Sequence, residues 1–493
     1  MAFSSPKAAQ YIKIVYFFHK KIQNIGFDYF YLSSTKRNQK RNRKMNNAAI
    51  NKKFIIAVSL VAALGGLLFG FDTAIISGAI PYISPYFHLD EYSLGWAVGC
   101  ILIGCAFGAM FAGAIADKYG RRFTLLICAL LFAISGIGTG LSYDFVLFVF
   151  FRLIGGLGVG AAAMVSPMYI AETVPAAWRG RLVSLYQLAI VLGILLAYFS
   201  NYLFDGIGVN NWRWMFMSQA APSVIFWLML MLVPETPRWL IKKGQKEEAL
   251  EILSKISGSN LAAIELLEIE KSFKQDHDDS SSLKLLFSKA YRPVLVIGVL
   301  IAVFQQITGI NSILYYAPVI FKETGLDTGS SLLQTIGIGL VNVLATFIAI
   351  GLVDRVGRKK FLLAGSFLMG LSLVAVALCF QYRYFDNYIV LISMIIYVGA
   401  FGCTLGAVTW VYLSEIFPNK VRGLALSVAT LSLWLADFVV TYTFPLMTGK
   451  LGTSYTMYCY AVFCALAFVY VFVKVPETKD RSLEEIETLF TQP

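Results

Sequence analysis

The sequence predicts an all-α membrane protein in which twelve transmembrane helices form two related six-helix bundles. Three observations predict it. Of the 493 residues, 58% are hydrophobic and only 14% charged, and the mean hydropathy is +0.68, too apolar for a soluble chain of this length. Apolar runs of bilayer-spanning length, about a dozen of them, lie between Phe54 and Lys474. Finally, a set of polar signatures recurs half a chain apart in the same order.

Residues 1–53 form a basic extension expected to be disordered. Lys7, Lys13, Lys20, Lys21, Lys36, Arg37, Lys40, Arg41, Arg43 and Lys44 face only Asp28 there, and this segment supplies most of the formal net charge of +12. The charge is therefore local, and it is no signal for nucleic acid. The segment has no apolar core followed by a small-residue cleavage site, so it does not read as a secretory signal. Met45 is a plausible start for the functional chain.

The first bundle, 54–233, is expected to hold spans at 54–80, 93–116, 123–142, 145–170, 182–205 and 214–233. Residues 234–292 read as a linker with short amphipathic helices, the apolar stripe being Leu250, Leu253, Ile256, Ile264 and Leu267. The second bundle, 293–475, holds spans at 293–320, 331–353, 361–380, 388–413, 423–447 and 454–474, and 476–493 is a tail. Helix is expected throughout because hydrocarbon gives the backbone no other hydrogen-bond partner.

Loops bearing Arg121, Arg122, Arg179, Arg181, Arg355, Arg358, Lys359 and Arg422 share one side, so the positive-inside rule places them, the linker and both termini in the cytoplasm. Asp117-Lys-Tyr-Gly-Arg-Arg122 recurs as Asp354-Arg-Val-Gly-Arg-Lys359. Glu172, Pro175 and Arg179 recur as Glu415, Pro418 and Arg422, and Pro234-Glu-Thr236 as Pro476-Glu-Thr478. Three recurrences in register mean an internal duplication. The charged members (Asp117, Arg121, Arg122, Glu172, Arg179, Glu235, Asp354, Arg358, Glu415 and Arg422) are expected to bridge the cytoplasmic ends of the two bundles as a gate that holds the outward-facing state.

The seven cysteines all fall in predicted spans, as small apolar residues rather than disulfide or zinc partners. No metal or other cofactor is expected, and no Walker motif or catalytic triad points to a pump or an enzyme. Gly156-Leu-Gly-Val-Gly160 has no strand before it and reads as close helix packing.

These motifs together resemble the sugar porters of the major facilitator superfamily, among them bacterial xylose/proton and arabinose/proton symporters and glucose facilitators. The resemblance covers roughly 50–490 and rests on Gly65-Gly-Leu-Leu-Phe-Gly-Phe-Asp72, the Asp117 loop, Arg152, Pro234-Glu-Thr-Pro-Arg-Trp-Leu240, Gln305-Gln306, Asn311, Ser414-Glu-Ile-Phe-Pro418 and Pro476-Glu-Thr478. It implies the major facilitator fold and a carrier rather than an enzyme, seated in the bilayer of the cell membrane and functional as a monomer.

Asp72, Arg152 and Asp437 are charged residues at bilayer depth, where insertion costs about 2.5–3.5 kcal/mol each. Asp72 with Arg152 reads either as a structural ion pair or as a proton-coupling pair; the family has an acid at this place in proton-coupled members. Gln187, Gln305, Gln306, Asn311 and Asn342 each read alone as interhelical glue. At positions matching the family's sugar contacts, they read together as a site for an uncharged, hydroxyl-rich solute. Trp410 and Trp434 match the family's aromatic positions, with Phe69 and Tyr316 as further lining. The chain departs from xylose carriers at Ile194, from the common Gly-Pro at Gly406-Ala407, and at Asp437, where asparagine is usual. Asp437 is open to three roles: a second protonatable group, a hydroxyl acceptor, or a neutral stand-in for asparagine. The expected function is proton-coupled monosaccharide symport, with facilitated sugar or polyol transport and sugar sensing as alternatives.

Overall fold

The computed structural model describes residues 51–276, 283–385, 388–418, 420–479 and 485. The basic extension up to residue 50 and most of the expected tail therefore lie outside the described residues, as does the side chain of Asp354.

Among the described residues the chain is helical. The first half comprises α1 (Lys52–Tyr86), α2 (Glu91–Tyr119), α3 (Arg121–Leu141), α4 (Phe145–Thr173), α5 (Ala176–Phe204), α6 (Asn211–Ser218) and α7 (Ala220–Leu232). The linker holds α8 (Pro237–Lys242), α9 (Lys246–Ser257), α10 (Ser259–Asp276) and α11 (Leu283–Leu286). The second half comprises α12 (Arg292–Ile307), α13 (Ile310–Glu323), α14 (Thr328–Val356), α15 (Arg358–Gln381), α16 (Ile389–Cys403), α17 (Leu405–Ile416), α18 (Arg422–Leu451) and α19 (Thr453–Lys474). Counting α6 with α7, α12 with α13 and α16 with α17, twelve helices are long and apolar enough to cross a membrane. The protein is a multi-pass membrane protein.

Short polar side chains set several helix starts. Asn51, Asp90, Asp144 and Asp327 each accept from a backbone N–H three residues on, at 3.2, 2.8, 2.8 and 3.1 Å, which satisfies a donor the first turn would leave bare. With 35 residues, α1 runs about 52 Å at 1.5 Å per residue, well beyond the roughly 30 Å hydrocarbon core.

The packing repeats the duplication. Within the first half α1 lies on α5, α2 on α4, α3 on α4, and α3 on α6 and α7; within the second, α12 lies on α18, α14 on α16, α15 on α16, and α15 on α19. These are the same pairings shifted by six spans. The seam between halves is symmetric too, with α2 against α18 and α5 against α14. Gly156 is needed for close approach, since a Cβ there would lie 2.8 Å from the Cα of Gly104 on α2. This is the packing role expected of the Gly156–Gly160 stretch.

Three expected continuous spans are interrupted. The seventh breaks at Gly309, whose φ of +94° is left-handed backbone suited to glycine. The tenth breaks at Thr404 (φ −125°, ψ −94°), upstream of Gly406-Ala407. The sixth is broken at Gln219 between α6 and α7. In the linker, α9 buries Ala249, Ile252, Leu253 and Ile256 against its neighbours, whereas Leu250, Ile264 and Leu267 are exposed. The expected stripe is thus rotated, because α9 turns its Ile252 face to α8 and α10.

Candidate functional site

The first polar centre lies where α1 meets α4. Asp72 and Arg152 are both 0% exposed, and the Arg152 Nη1 donates to Asp72 Oδ1 at 2.8 Å and to the Asp72 backbone carbonyl at 3.1 Å. The guanidinium also sits 5.5 Å from the centre of the Phe216 ring. Three atoms remain without partners: Asp72 Oδ2 and Arg152 Nε and Nη2. Gln219, between α6 and α7, is buried with its side-chain amide beside the Asp72 carboxylate. One carboxylate oxygen and two guanidinium nitrogens of the pair are thus left without partners at a depth where unmet polar groups are costly.

A second centre lies around the α12–α13 break. Gln305 donates from Nε2 to the Leu405 carbonyl at 3.0 Å, the first residue of α17, while its buried Oε1 has no partner. Asn311 donates from Nδ2 to Gln306 Oε1 at 3.0 Å and to Asp437 Oδ2 at 2.8 Å. Thr441 donates to Asp437 Oδ1 at 3.2 Å. Tyr316 donates to the Thr441 carbonyl at 3.3 Å and stacks on Phe444 with ring centres 4.7 Å apart. Trp434 lies 5.7 Å from Phe69 of the first half, and its buried Nε1 has no partner. These amides flank the break at Thr308–Gly309, Gln305 reaching α17 and Asn311 reaching α18.

The remaining expected residues are placed differently. Asn342 is buried on α14 beside Gly402 of α16. Gln187 is half-buried on α5 and is not joined to the Gln306–Asn311–Asp437 chain by the hydrogen bonds of the described residues. Trp410 is 40% exposed, unlike Trp434 at 5%.

Comparison with known proteins adds the family. The sugar (and other) transporter family matches residues 58–490. The chain belongs to that family. This transporter is 42% identical over 443 residues to the arabinose-proton symporter of Bacillus subtilis, covering 89% of this chain and 95% of that one. It is 40% identical over 482 residues to the D-xylose-proton symporter of Escherichia coli strain K12, covering 90% and 97%. Its fold matches the inward-open conformation of the xylose transporter XylE from E. coli with a TM-score of 0.80, at 39% identity, covering 89% of this chain and all of that one. Against XylE bound to 6-bromo-6-deoxy-D-glucose the TM-score is 0.75, at 40% identity and covering 89% and 100%. The transporter therefore has the major facilitator fold, and it is not an enzyme.

At the linker end of the transporter, the repeated motifs form two matching clamps. In the first half, the Arg121 and Arg122 backbone N–H groups at the start of α3 both donate to Glu235, each at 3.0 Å. Arg121 Nη2 and the Thr236 hydroxyl hold Glu172 at 2.9 and 2.7 Å. In the second half, the Arg358 and Lys359 backbone N–H groups at the start of α15 donate to Glu477 at 2.8 and 3.2 Å, while Arg358 and Thr478 hold Glu415 at 2.8 and 2.7 Å. Each clamp seats a carboxylate on a helix N-terminus. Burial pushes the Glu235 carboxyl above the usual range, against the pull of the Thr236, Arg122 and Arg121 N–H groups.

Asp117 pairs with Arg121 and Lys242, each at 3.0 Å. Arg122 donates to the Leu230 and Met231 carbonyls, both at 2.9 Å, and Arg422 to the Phe417 carbonyl at 3.1 Å. Arg179 is exposed. These pairs lie within a half, in a conformation other than the outward-facing one for which the bridge between bundles is expected. That conformation is visible at the opposite end, where the halves are closed on each other. Tyr198 donates to the Leu314 carbonyl at 2.8 Å, Lys450 to the Tyr92 hydroxyl at 3.0 Å, and Trp96 meets Phe438 edge-on at 5.9 Å. With the halves closed there, Arg121 pairs with Glu172 and Arg358 with Glu415, each within its own half. The sequence reading named Glu235 but missed its equivalent Glu477, and with it Thr236 and Thr478; the Pro-Glu-Thr repeat was the signal that could have found them. It also missed Gln219, an isolated glutamine that only helix packing brings to Asp72.

Proposed function

We propose that this transporter carries a monosaccharide, a pentose or hexose, into the cell together with a proton, by alternating access between the two bundles. The observation that carries the reading is the fully buried Asp72–Arg152 pair at 2.8 Å, standing apart from a wall of neutral amides and aromatics. An ion pair at that depth is weak evidence for stability alone, and it suits a carboxylate that gains and loses a proton as its guanidinium partner shifts. The amide wall of Gln305, Gln306 and Asn311, with the unmet Gln305 Oε1 and Trp434 Nε1, suits sugar hydroxyls and C–H faces without formal charge. The named activities of the arabinose and xylose relatives support the same substrate class.

In this reading the sugar sites are Gln187, Gln305, Gln306, Asn311, Asn342, Trp410, Trp434, Phe69, Tyr316 and Asp437, and residues 54–233 and 293–475 rock about them. The basic loops place the linker and both termini in the cytoplasm, so the closed end faces outward. The two clamps brace the bundle ends that part in this conformation, and in the outward-open one their charges become available across the gap.

The test is uptake into proteoliposomes of labelled pentoses, hexoses and inositol, with and without an inward proton gradient. Accumulation against a sugar gradient only when the proton gradient is present supports the reading. Equal, non-concentrative flux in both conditions overturns symport in favour of facilitation, and binding without flux overturns transport.

A further inference from the structure

Two carboxylates lie buried at mid-span, and their surroundings differ. Asp72 has a guanidinium at 2.8 Å. Asp437 is 1% exposed and accepts only from neutral donors, the Asn311 amide and the Thr441 hydroxyl. Among the described residues no cation pairs with it. On the helices packed against α18, every other charged residue sits in a terminal turn: Glu91, Asp117 and Lys118 on α2, Arg292 on α12, Lys322 and Glu323 on α13, Glu415 on α17, Lys474 on α19 and Lys284 on α11. On α18 itself the same holds for Arg422 and Lys450. The titratable groups close enough to feel Asp437 are Tyr315 of α13 and Cys105 of α2, both buried and uncharged.

We propose that Asp437 is a second proton-binding carboxylate, set in the sugar-binding wall itself, and that it takes up a proton when sugar binds. The inference rests on the reading of this wall as a sugar site. Asn311 spends both of its amide hydrogens, one on Gln306 and one on Asp437, so any solute that engages these amides is coupled directly to the carboxylate. An uncompensated charge at this depth is costly unless water or further polar groups reach it. A sugar bound against the wall displaces water from it, raises the cost of the charged form, and thereby favours protonation. The proton comes from solvent and binds one carboxylate oxygen, which then becomes a donor available to a hydroxyl or to the amide wall. On release of the sugar, water returns and the proton leaves. Proton uptake and sugar binding are thus linked through one hydrogen-bond chain, separately from the Asp72–Arg152 pair.

The experiment is sugar binding by calorimetry on the purified full-length protein in nanodiscs. The sugar is whichever of the tested monosaccharides binds, titrated in buffers of different ionisation enthalpy over a series of pH values. The dependence of binding heat on buffer gives the protons taken up per sugar bound. The expected result is uptake by the wild type and by Asp72→Asn, and its loss in Asp437→Asn. If Asp437→Asn binds no sugar, Asp437→Glu decides: retained uptake with a displaced pH midpoint supports the proposal, and binding without uptake overturns it. Equal uptake by Asp437→Asn and wild type overturns it, as does a wild type that binds sugar with no uptake. Binding calorimetry needs no transport, so a wild type that takes up protons with sugar yet fails to accumulate it overturns symport and leaves this inference standing.

Discussion

Phe69 on α1 and Trp434 on α18 face each other across the seam between the halves, ring centres 5.7 Å apart and inclined at 47°. In the proposed function, a solute bound to the Gln305–Asn311 wall would have these rings as its apolar border, one ring from each of the two halves that rock. Aromatic contacts of this kind contribute about 0.5–1.5 kcal/mol beyond their burial. Replacing Trp434 by leucine is expected to weaken sugar binding by roughly tenfold, equivalent to about 1.4 kcal/mol. Calorimetric titration of the purified protein checks it, and unchanged affinity would remove Trp434 from the wall.

Removing Arg152 strands a buried carboxylate, which costs about 3–5 kcal/mol where an ion pair is broken on one side. Arg152→Ala is therefore expected to lower the unfolding temperature strongly, and adding Asp72→Asn to it should restore part of the loss. Thermal unfolding of the two variants in detergent measures both steps. No recovery in the double variant would mean that the pair does not act as a unit.

Asp72→Asn alone is expected to abolish concentrative uptake while sustaining exchange of labelled for unlabelled sugar. The neutral amide copies the protonated acid in size and cannot release a proton. Counterflow and gradient-driven uptake in the same proteoliposomes separate the two activities. Concentrative uptake at the wild-type level would exclude Asp72 from coupling.

Glu235 and Glu477 hold equivalent clamps, each accepting two backbone N–H groups at a helix start. Hydrogen bonds to charged groups contribute about 1.5–3 kcal/mol, so Glu235→Gln and Glu477→Gln are each expected to lower the unfolding temperature. The clamps are in separate halves, and the losses should add in the double variant. A double variant no less stable than either single one would show that the clamps do not act independently.

At the opposite end, Asp327 caps α14, and the Ser330 hydroxyl, followed by the Ser330 backbone N–H, holds its carboxyl below the usual carboxylate range. A depressed carboxyl contributes stability that is present above the unfolded value of about 3.9 and lost as pH falls through the folded one. Unfolding temperatures of wild type and Asp327→Ala should therefore differ at neutral pH and converge as the buffer is taken towards pH 3. A constant difference across that range would exclude the ionised cap as its source.

The number of spans, their order and the duplication were all legible in the sequence, because bilayer thickness fixes the length of an apolar run and the duplicated loops keep their charges. The amides and the mid-span acids were legible too, since polar groups in apolar runs stand out. Local pattern could not show the breaks at Gly309 and Thr404, because apolar residues continue through both and hydropathy ignores backbone angles. Nor could it show that Arg121 and Arg358 pair within their own halves, because one sequence serves several conformations and the duplicated motifs offer carboxylates in both halves.

By itself the sequence determined a membrane protein of two repeated halves, with Asp72, Arg152 and Asp437 as the charges to be explained. Tertiary structure decided which charges are compensated: helix packing brings Arg152 to Asp72, whereas it brings the neutral Asn311 to Asp437, beside the equally neutral Thr441. The physical reason is that compensation depends on distances of a few ångströms between residues far apart in the chain, which no local pattern encodes.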